Sequence, residues 1–270
     1  MVSRQELSWV PKEVDLDLPS SARVYDYLLG GGHNFEHDRV MAESLAAVVP
    51  IRIMAQLNRS FLRRAVLALC DQGIDQFLDL GSGIPTVGNV HEVVQQVNPD
   101  ARVAYVDIDP VAVAHAELIL AGDPRSIVLH ADLRAPHTIL DRPELRELLD
   151  FTRPVGLLML GVLQYVSDEA DPWEVIATYR KALSAGSFLA VSHFTPDGMP
   201  EEMAKLEAIF AKTAEPATTR SHTQIERMFA GFELLDPGLV YTVQWRPESP
   251  DDVGDHPERS NLLAGVGRKT

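Results

Sequence analysis

A glycine-containing loop, Asp79-Leu80-Gly81-Ser82-Gly83-Ile84-Pro85-Thr86, directly follows an apolar strand-like segment and is the strongest chemical signal in the chain. Two glycines between a strand and a helix let the backbone approach a ligand closely at the switch point of a parallel sheet. The third glycine of the dinucleotide fingerprint is absent, because Thr86 stands in its place. The Asp79 carboxylate before the turn would repel a pyrophosphate and favours a ligand with cationic groups. The alternative is a plain strand-to-helix turn in which Asp79 caps nearby amides.

Acidic residues also follow the next two predicted strands. Asp107, 24 residues beyond Gly83, stands where a carboxylate accepts hydrogen bonds from both ribose hydroxyls of an adenosine ligand. Asp109, just before a proline, is interpreted as a helix N-cap. In Asp132-Leu133, the carboxylate can accept the exocyclic amine of adenine while the leucine packs on the ring. The acids predict one adenosine-binding edge of the sheet, although turn acids could also arise here by chance.

The ligand that fits these residues carries an adenosine, an ammonium and a sulfonium, and no phosphate. S-adenosylmethionine has this chemistry, and methyl transfer from it leaves S-adenosylhomocysteine as the product. The residues predicted to bind this cofactor are Asp79, Gly81, Ser82, Gly83, Asp107, Ile108, Asp132 and Leu133.

The pattern of the chain changes near residue 70. Residues 1–70 are predicted as an extended arm followed by helices that form an N-terminal cap, and residues 71–270 as the cofactor-binding core of one structural domain. In this core, strands alternate with helices, which is typical of an α/β, doubly wound parallel sheet. The predicted strands are Gln76–Leu80, Arg102–Asp107, Ser126–Ala131, Val155–Leu163, Ser187–His193, Leu239–Trp245 and Leu262–Val266. The last two would close the sheet as antiparallel strands.

Composition excludes several classes of protein. With 46% hydrophobic and 23% charged residues, the chain is an ordinary globular protein and not a disordered one. A net charge of −15 would repel a phosphate backbone, so no nucleic-acid partner is expected. The longest apolar run, Val155–Leu163, is too short to cross a bilayer, so no membrane partner is expected either. The N-terminus lacks a signal-peptide pattern and the single Cys70 suits a reducing compartment, which together predict a cytoplasmic location.

Characteristic stretches lie along nearly the whole chain: Ala22–Gly31, Asn34-Phe35, Asp38-Arg39, Asn58-Arg59, Phe61–Arg64, Asp79–Thr86, Val106–Pro110, Ser192-His193, Pro237–Leu239, Trp245–Pro247 and Gly265–Lys269. In these stretches the sequence resembles the S-adenosyl methyltransferase family, long described as a domain of unknown function, within the class I S-adenosylmethionine-dependent methyltransferases. The resemblance implies a Rossmann-like, seven-stranded, mostly parallel sheet with an N-terminal helical cap, and S-adenosylmethionine as cofactor. One pair departs from the pattern: Gln164-Tyr165 follows the fourth predicted strand, where the family more often has His-Phe.

Methyl transfer is an in-line displacement at the sulfonium carbon, so alignment of the acceptor can supply much of the rate. A general base is needed only if the acceptor must lose its proton early. His193, at the end of the fifth predicted strand, is the candidate base, although a histidine there is as often a hydrogen-bonded scaffold group. Tyr165 is the second catalytic candidate, and both it and Gln164 could contact the methionine part of the cofactor or the acceptor.

Polar residues beside the triple glycine Gly30-Gly31-Gly32 suit a lid that closes over the bound cofactor. A helix-capping turn explains the same residues equally well. Arg59 could hold an acidic acceptor or neutralise surface carboxylates, and no metal is expected, because nothing completes a ligand set with His33 and His37. The residues assigned to the substrate or the lid are Tyr27, Asn34, Asp38, Arg39, Arg59 and Gln164.

The sequence thus predicts a methyltransferase acting on an unidentified acceptor, expected to be a small molecule. Two other functions stay open: a non-catalytic protein that senses S-adenosylmethionine, and a nicotinamide-dependent oxidoreductase on the same kind of sheet. Asp79 and the absent third glycine disfavour the oxidoreductase. The sequence leaves the acceptor atom and the oligomeric state open.

Overall fold

The computed structural model describes Pro11, residues 14–85 and residues 88–270, so most of the predicted N-terminal arm and Thr86 of the glycine loop lie outside the described residues. The chain begins with helices, as predicted. They are α1 (Ser21–Leu28), α2 (Glu36–Ala46) and α3 (Ile51–Asp71).

The sheet follows, with helices between its strands. The strands are β1 (Gln76–Leu80), β2 (Arg102–Asp107), β3 (Ser126–His130), β4 (Gly156–Leu160), β5 (Phe188–Phe194), β6 (Phe232–Leu234), β7 (Val240–Tyr241) and β8 (Leu262–Lys269). The helices are α4 (Val90–Val97), α5 (Pro110–Ile119), α6 (Pro136–Leu140), α7 (Pro143–Leu148), α8 (Pro172–Ala182), α9 (Pro200–Phe210) and α10 (His222–Glu226).

Seven strands lie side by side in the order β3-β2-β1-β4-β5-β8-β6, and the two-residue β7 pairs with β8 as an eighth. Strands β1 to β5 are mutually parallel, and β8 runs antiparallel to β5, β6 and β7. Chain order reverses between β1 and β4, which creates a switch point at the carboxyl ends of these strands. The predicted α/β, mostly parallel, Rossmann-like sheet is confirmed.

Alternate residues of each strand face two separate hydrophobic layers, as the period of two requires. Leu78 and Leu80 of β1 pack into the layer formed with α6, α7 and α8, whereas Phe77 packs into the layer formed with α3 and α4. Both faces of the sheet are therefore covered, which explains why β1 and β4 are buried along their full length.

The prediction that Leu239–Trp245 forms a closing antiparallel strand is wrong for most of its length. Only Val240–Tyr241 pairs with β8, and Thr242–Gln244 forms a 3-10 turn. The guanidinium of Arg64, on α3, donates to the carbonyl oxygens of Thr242 (2.6 Å) and Trp245 (2.9 Å). These carbonyls are thus used by a helix side chain and not by a neighbouring strand. Phe232–Leu234, too short to show a pattern in the sequence, takes the outer position instead.

Helices α1, α2, α3 and α9 share their own hydrophobic core above the carboxyl edge of the sheet. We call it the cap cluster; its large members include Leu28, Leu45, Ile51, Met54, Phe194, Phe210 and Leu262. Among the described helices, none is by itself long and apolar enough to span a membrane; α2 and α3 meet the length and composition criteria only as a pair, bent by 99°.

A buried polar network joins the cap to the start of α5, and we call its side chains Ser20, Arg23, Asp38 and Asp109 the cap latch. Nε of Arg23 donates to both carboxylate oxygens of Asp38 at 3.2 and 3.0 Å. Nη1 of Arg23 lies 3.9 Å from Oδ2 of Asp109, and the Ser20 hydroxyl donates to the same oxygen. The backbone N–H groups of Ser20 and Phe35 also donate to Asp38. Asp38, predicted as a substrate or lid residue, thus holds the cap in place.

Replacing Asp38 by alanine would leave the buried Arg23 guanidinium with only the more distant Asp109 carboxylate, and the N–H groups of Ser20 and Phe35 would lose their acceptor. Removing one partner of a buried ion pair costs about 3–5 kcal/mol, so we expect the free energy of unfolding in urea to fall by up to that order. The control is Asp141→Ala, which removes one partner of an exposed ion pair with Arg146 and should change stability little. Equal effects of the two substitutions would contradict the assignment of the latch.

Candidate functional site

A cavity of about 470 Å³ lies at the carboxyl edge of the sheet, beneath the cap, and we call it the strand-end cavity. Its size falls within the range of small-molecule sites. Its walls come from the ends of β1, β2, β4 and β5, the loop after β3, and helices α1 and α3. All the residues predicted to bind a cofactor line it: Asp79, Gly81, Ser82, Gly83, Asp107, Ile108, Asp132 and Leu133.

The glycine loop is anchored to the end of β2. The N–H groups of Gly81 and Ser82 donate to the carbonyl of Val106 at 2.8 and 3.2 Å, and the N–H of Gly83 donates to Oδ2 of Asp107 at 2.7 Å. Gly81 has φ of +71°, and a Cβ there would lie 2.2 Å from Cγ2 of Val162. The chain can turn beneath the cavity at this point only because residue 81 has no side chain.

Asp107 is the central acid of the edge. Its other oxygen, Oδ1, accepts the N–H of Asp109 at 2.8 Å. Asp109 itself caps α5 by accepting from the N–H groups of Val111 and Ala112, which confirms the N-cap interpretation. Burial raises the pKa of Asp107 to about 6, although the N–H groups of Asp109 and Gly83 act in the opposite direction. Burial therefore makes the ionised form of this carboxyl costly.

Asp79 is under the same constraint, with 5% of its surface exposed. Burial raises its pKa to about 7; the Arg59 guanidinium lowers it, and the Asp107 carboxylate raises it further. Two buried acids at adjacent strand ends, with one arginine as their nearby cation, favour ligands that bring hydrogen-bond donors or positive charge.

The third predicted acid is more open. Both oxygens of Asp132 accept from the Arg134 guanidinium at 2.7 to 2.9 Å, and this pair is partly exposed. A carboxylate has about four acceptor positions, so Asp132 can still accept another donor. Leu133 is fixed by its carbonyl, which accepts the Tyr179 hydroxyl at 3.0 Å. Ile108 lies on the cavity wall with 47% of its surface exposed.

The turn after β4 presents Gln164 and Tyr165 to the cavity. Arg220, 1% exposed, fixes this turn by donating to the carbonyls of Leu163 (3.0 Å) and Val166 (2.7 Å). Burial raises the pKa of the Tyr165 phenol, with the Glu215 carboxylate acting in the same direction. Tyr165 therefore stays protonated near neutral pH and can donate a hydrogen bond, but it is a poor base.

His193, the candidate base, is fully buried and does not belong to the described lining of the cavity. Arg220 donates Nη1 to Nε2 of His193 at 2.8 Å, and because an arginine can only donate, this nitrogen must accept. The other nitrogen, Nδ1, then carries the proton and donates to the carbonyl of Phe194 at 2.8 Å. Burial lowers the pKa of His193 to about 3. These contacts are those of a scaffold group and argue against a role as base.

The predicted lid residues Tyr27, Asn34, Asp38 and Arg39 do not line the described cavity. The Tyr27 hydroxyl donates to Glu43 at 2.8 Å. Asn34 donates to Asp26 at 2.8 Å and receives Nη1 of Arg39 at 3.1 Å. With Asp38 in the cap latch, these residues organise the turn between α1 and α2, which is the helix-capping alternative. Arg59 and Gln164, from the same predicted group, do line the cavity.

The polar residues of the wall that the sequence did not assign to the site include Tyr25, Asn58 and Glu215. Asn58 accepts from Ser192 at 2.5 Å and donates to the Tyr25 hydroxyl at 3.1 Å, which ties α3 to β5 and α1. A buried asparagine at an inward position of α3 is a signal that sequence could give. Glu215 follows α9 in a loop without periodicity and accepts the N–H of Ser21 at 2.7 Å, so only the fold reveals it.

Comparison with known proteins agrees with this architecture. A family model described as S-adenosyl methyltransferase matches residues 7–270. A crystal structure of a protein from Thermobifida fusca YX, described as a “putative methyltransferase”, is 44% identical with a TM-score of 0.92, covering 97% of this chain and 99% of that one. A DUF574 family protein from Streptomyces avermitilis MA-4680 is 36% identical with a TM-score of 0.90, covering 95% of this chain and 100% of that one. No curated protein matches the chain significantly.

A more distant solved structure shares the fold alone with this chain. One chain in the complex that contains the Haloferax volcanii Trm112 methyltransferase activator is 18% identical, with a TM-score of 0.52, covering 84% of this chain and 97% of that one.

Asp79 should make the stability of the unliganded protein depend on pH. Its carboxyl has a pKa of about 7 in the folded chain against 3.8 ordinarily, so between these values the unfolded chain binds fewer protons. The contribution of Asp79 to the free energy of unfolding therefore falls as pH rises from about 4 to about 7. We expect Asp79→Asn to be more stable than the wild type at pH 8, with a smaller difference at pH 5.

Urea denaturation at the two pH values measures this difference. Asp141→Asn, which changes an exposed carboxylate, is the matched control and should give the same small offset at both. A constant offset for Asp79→Asn would show that the Asp79 carboxyl titrates normally.

Proposed function

This chain belongs to the S-adenosyl methyltransferase family, and from that premise we propose that it binds S-adenosylmethionine in the strand-end cavity and transfers the methyl group to an acceptor held under the cap. The observation that carries the proposal is the pair of buried carboxyl groups, Asp79 and Asp107, whose raised pKa values mark a site short of donors. An ammonium group and two ribose hydroxyls are donors that would stabilise the ionised form of this pair.

The chemistry of the wall fits each part of the cofactor. Asp79 would accept the ammonium group, and the nearby guanidinium of Arg59 would bind the carboxylate of the methionine part. Asp107 would accept the ribose hydroxyls, and Asp132 the exocyclic amine of adenine. The exposed side chain of Ile108 and the fixed Leu133 would pack against the adenine ring. The backbone of Gly81-Ser82-Gly83 would pass close to the cofactor, because neither glycine carries a side chain.

Bound S-adenosylmethionine supplies an electrophilic methyl carbon on its sulfonium. The residues of the chain then have to align a lone pair of the acceptor with that carbon and exclude water, which can supply much of the rate. Gln164 and Tyr165, held by the buried Arg220, are placed to orient the acceptor. Since His193 is used by the scaffold, we assign no general base; S-adenosylhomocysteine is the leaving group, and the acceptor proton passes to solvent during or after transfer.

Loss of the Asp107 carboxylate should weaken cofactor binding. We expect Asp107→Asn to raise the Kd for S-adenosylhomocysteine by roughly 5- to 150-fold, which corresponds to about 1–3 kcal/mol for charge-assisted hydrogen bonds. Isothermal titration with S-adenosylmethionine and with S-adenosylhomocysteine measures it, and Asp141→Asn should bind as the wild type does. Failure of the folded wild type to bind either compound would overturn the proposed function, and unchanged binding by Asp107→Asn would overturn the ribose assignment.

Binding should also release protons. The ligand needs Asp79 and Asp107 ionised, and their unliganded pKa values are about 7 and about 6, so the affinity should rise between pH 5.5 and 7.5. At pH 6.5 the ligand ammonium is almost fully protonated, because α-amino groups have pKa values of about 7.7–8.0. Titrations at pH 6.5 in two buffers of different ionisation enthalpy count the protons. Asp79→Asn should release fewer; proton uptake by the wild type would contradict the assignment.

The cytoplasmic location and the lack of a nucleic-acid partner expected from the sequence remain predictions.

A further inference from the structure

The strand-end cavity has two parts of different chemistry. Four of the six charged side chains of its described lining lie at the ends of β1 and β2 and in the loop after β3, namely Asp79, Asp107, Asp132 and Arg134; Arg59 comes from α3 and Glu215 from the loop after α9. The rest of the wall is formed in large part by the cap cluster, which contributes Leu28, Leu45, Ile51, Met54, Phe194 and Phe210. A cofactor held by the acids would thus leave an apolar space beneath the cap.

We propose that this apolar part is the acceptor subsite and that its substrate is a neutral, largely apolar small molecule carrying a hydroxyl or N–H group. The inference rests on the proposed function, since the cofactor must occupy the charged part. A charged acceptor would lose its hydration against the apolar cap cluster, and this desolvation is costly. The Glu215 carboxylate, which acts on Tyr165, already accepts the N–H of Ser21. An apolar acceptor gains by the same burial.

Gln164 supplies the polar selectivity of this subsite. The residue is 3% exposed and lines the cavity, and its side-chain oxygen Oε1 is buried without a hydrogen-bond partner among the described residues. The backbone around it is fixed, because its carbonyl accepts the N–H of Thr218 at 2.8 Å and Arg220 donates to the carbonyls of Leu163 and Val166. A buried acceptor atom without a donor is costly, and a ligand that brings an O–H or N–H removes that cost.

We therefore assign Gln164 as the residue that orients the acceptor, because its Oε1 can accept a hydrogen bond from the O–H or N–H group of that molecule. The Tyr165 hydroxyl lies in the same wall and stays protonated, so it can donate to the same polar group of the acceptor. One acceptor and one donor side by side match a hydroxyl or an N–H that both gives and receives hydrogen bonds.

Four naphthalene probes of nearly equal size test the proposal: 2-naphthol, naphthalene, the anion 2-naphthoate and the cation 2-naphthylmethylammonium. Each is titrated by fluorescence into the full chain saturated with S-adenosylhomocysteine, which cannot donate a methyl group. We expect 2-naphthol to bind at least about tenfold more tightly than the other three, since it alone is neutral and brings a donor. Equal or tighter binding of either charged probe, or no saturable binding of 2-naphthol, would overturn the proposal.

Gln164→Leu keeps a side chain of similar size but removes the amide. We expect its Kd for 2-naphthol to rise to that for naphthalene, while naphthalene binding and S-adenosylhomocysteine binding stay as in the wild type. Gln96→Leu, on the exposed side of α4 and outside the described lining, is the matched control and should change none of these. If 2-naphthol binding survives in Gln164→Leu, the role of Gln164 is wrong.

The two levels of the proposal fail in different ways. If the wild type does not bind S-adenosylhomocysteine, the proposed function is contradicted. The probes would then be titrated into the protein without S-adenosylhomocysteine. Intact S-adenosylhomocysteine binding combined with a preference for a charged probe would count against the neutral acceptor alone.

Discussion

The arrangement of the site depends on the burial of two carboxyl groups, those of Asp79 and Asp107, at neighbouring strand ends. Desolvation raises both pKa values; the Asp107 carboxylate raises the pKa of Asp79 further, and the Asp109 and Glu215 carboxylates raise that of Asp107. The N–H of Gly83 turns toward Asp107, and the positive φ of the loop glycines makes that turn possible. Arg59 reaches the same region from α3, so the cap contributes to the electrostatics of the sheet edge. These contacts offset the burial of the two carboxyl groups only in part. A ligand that brings further hydrogen-bond donors would therefore stabilise their ionised form.

A second buried charge, Arg220, organises the opposite wall. Its guanidinium contacts two carbonyls of the turn after β4, the Asp168 carboxylate and Nε2 of His193. These contacts use the planar, multi-donor geometry of arginine, which a lysine could not reproduce. The consequence is that the turn bearing Gln164 and Tyr165 is rigid, whereas His193 is neutral and enclosed. The fixed turn after β4 and the absence of a histidine base from the described wall thus have one physical origin.

The parts of the molecule that sequence could predict are those determined by local pattern. Strands β1 and β2 begin and end where predicted, because each is a short apolar run bounded by polar turns. The glycine loop and its acids line the cavity because carboxyl ends of parallel strands must meet there. Leu239–Trp245 failed because Arg64, far away in the chain, takes its carbonyls. His193 and Asp38 likewise have partners, Arg220 and Arg23, that no spacing rule indicates. Whether the lining residues contact a cofactor stays a prediction.

The cap has two functions that the same side chains must satisfy. Leu45, Met54 and Phe210 belong to the hydrophobic core that holds α1, α2, α3 and α9 together, and they also face the cavity. A change of acceptor size would therefore alter the packing of the cap, since cores respond to the gain or loss of a single methylene. Polar positions such as Gln164 are free of this coupling, because they lie on a turn fixed by Arg220 and not within the cap cluster. Divergence of acceptor specificity on this fold should then proceed first through the turn after β4.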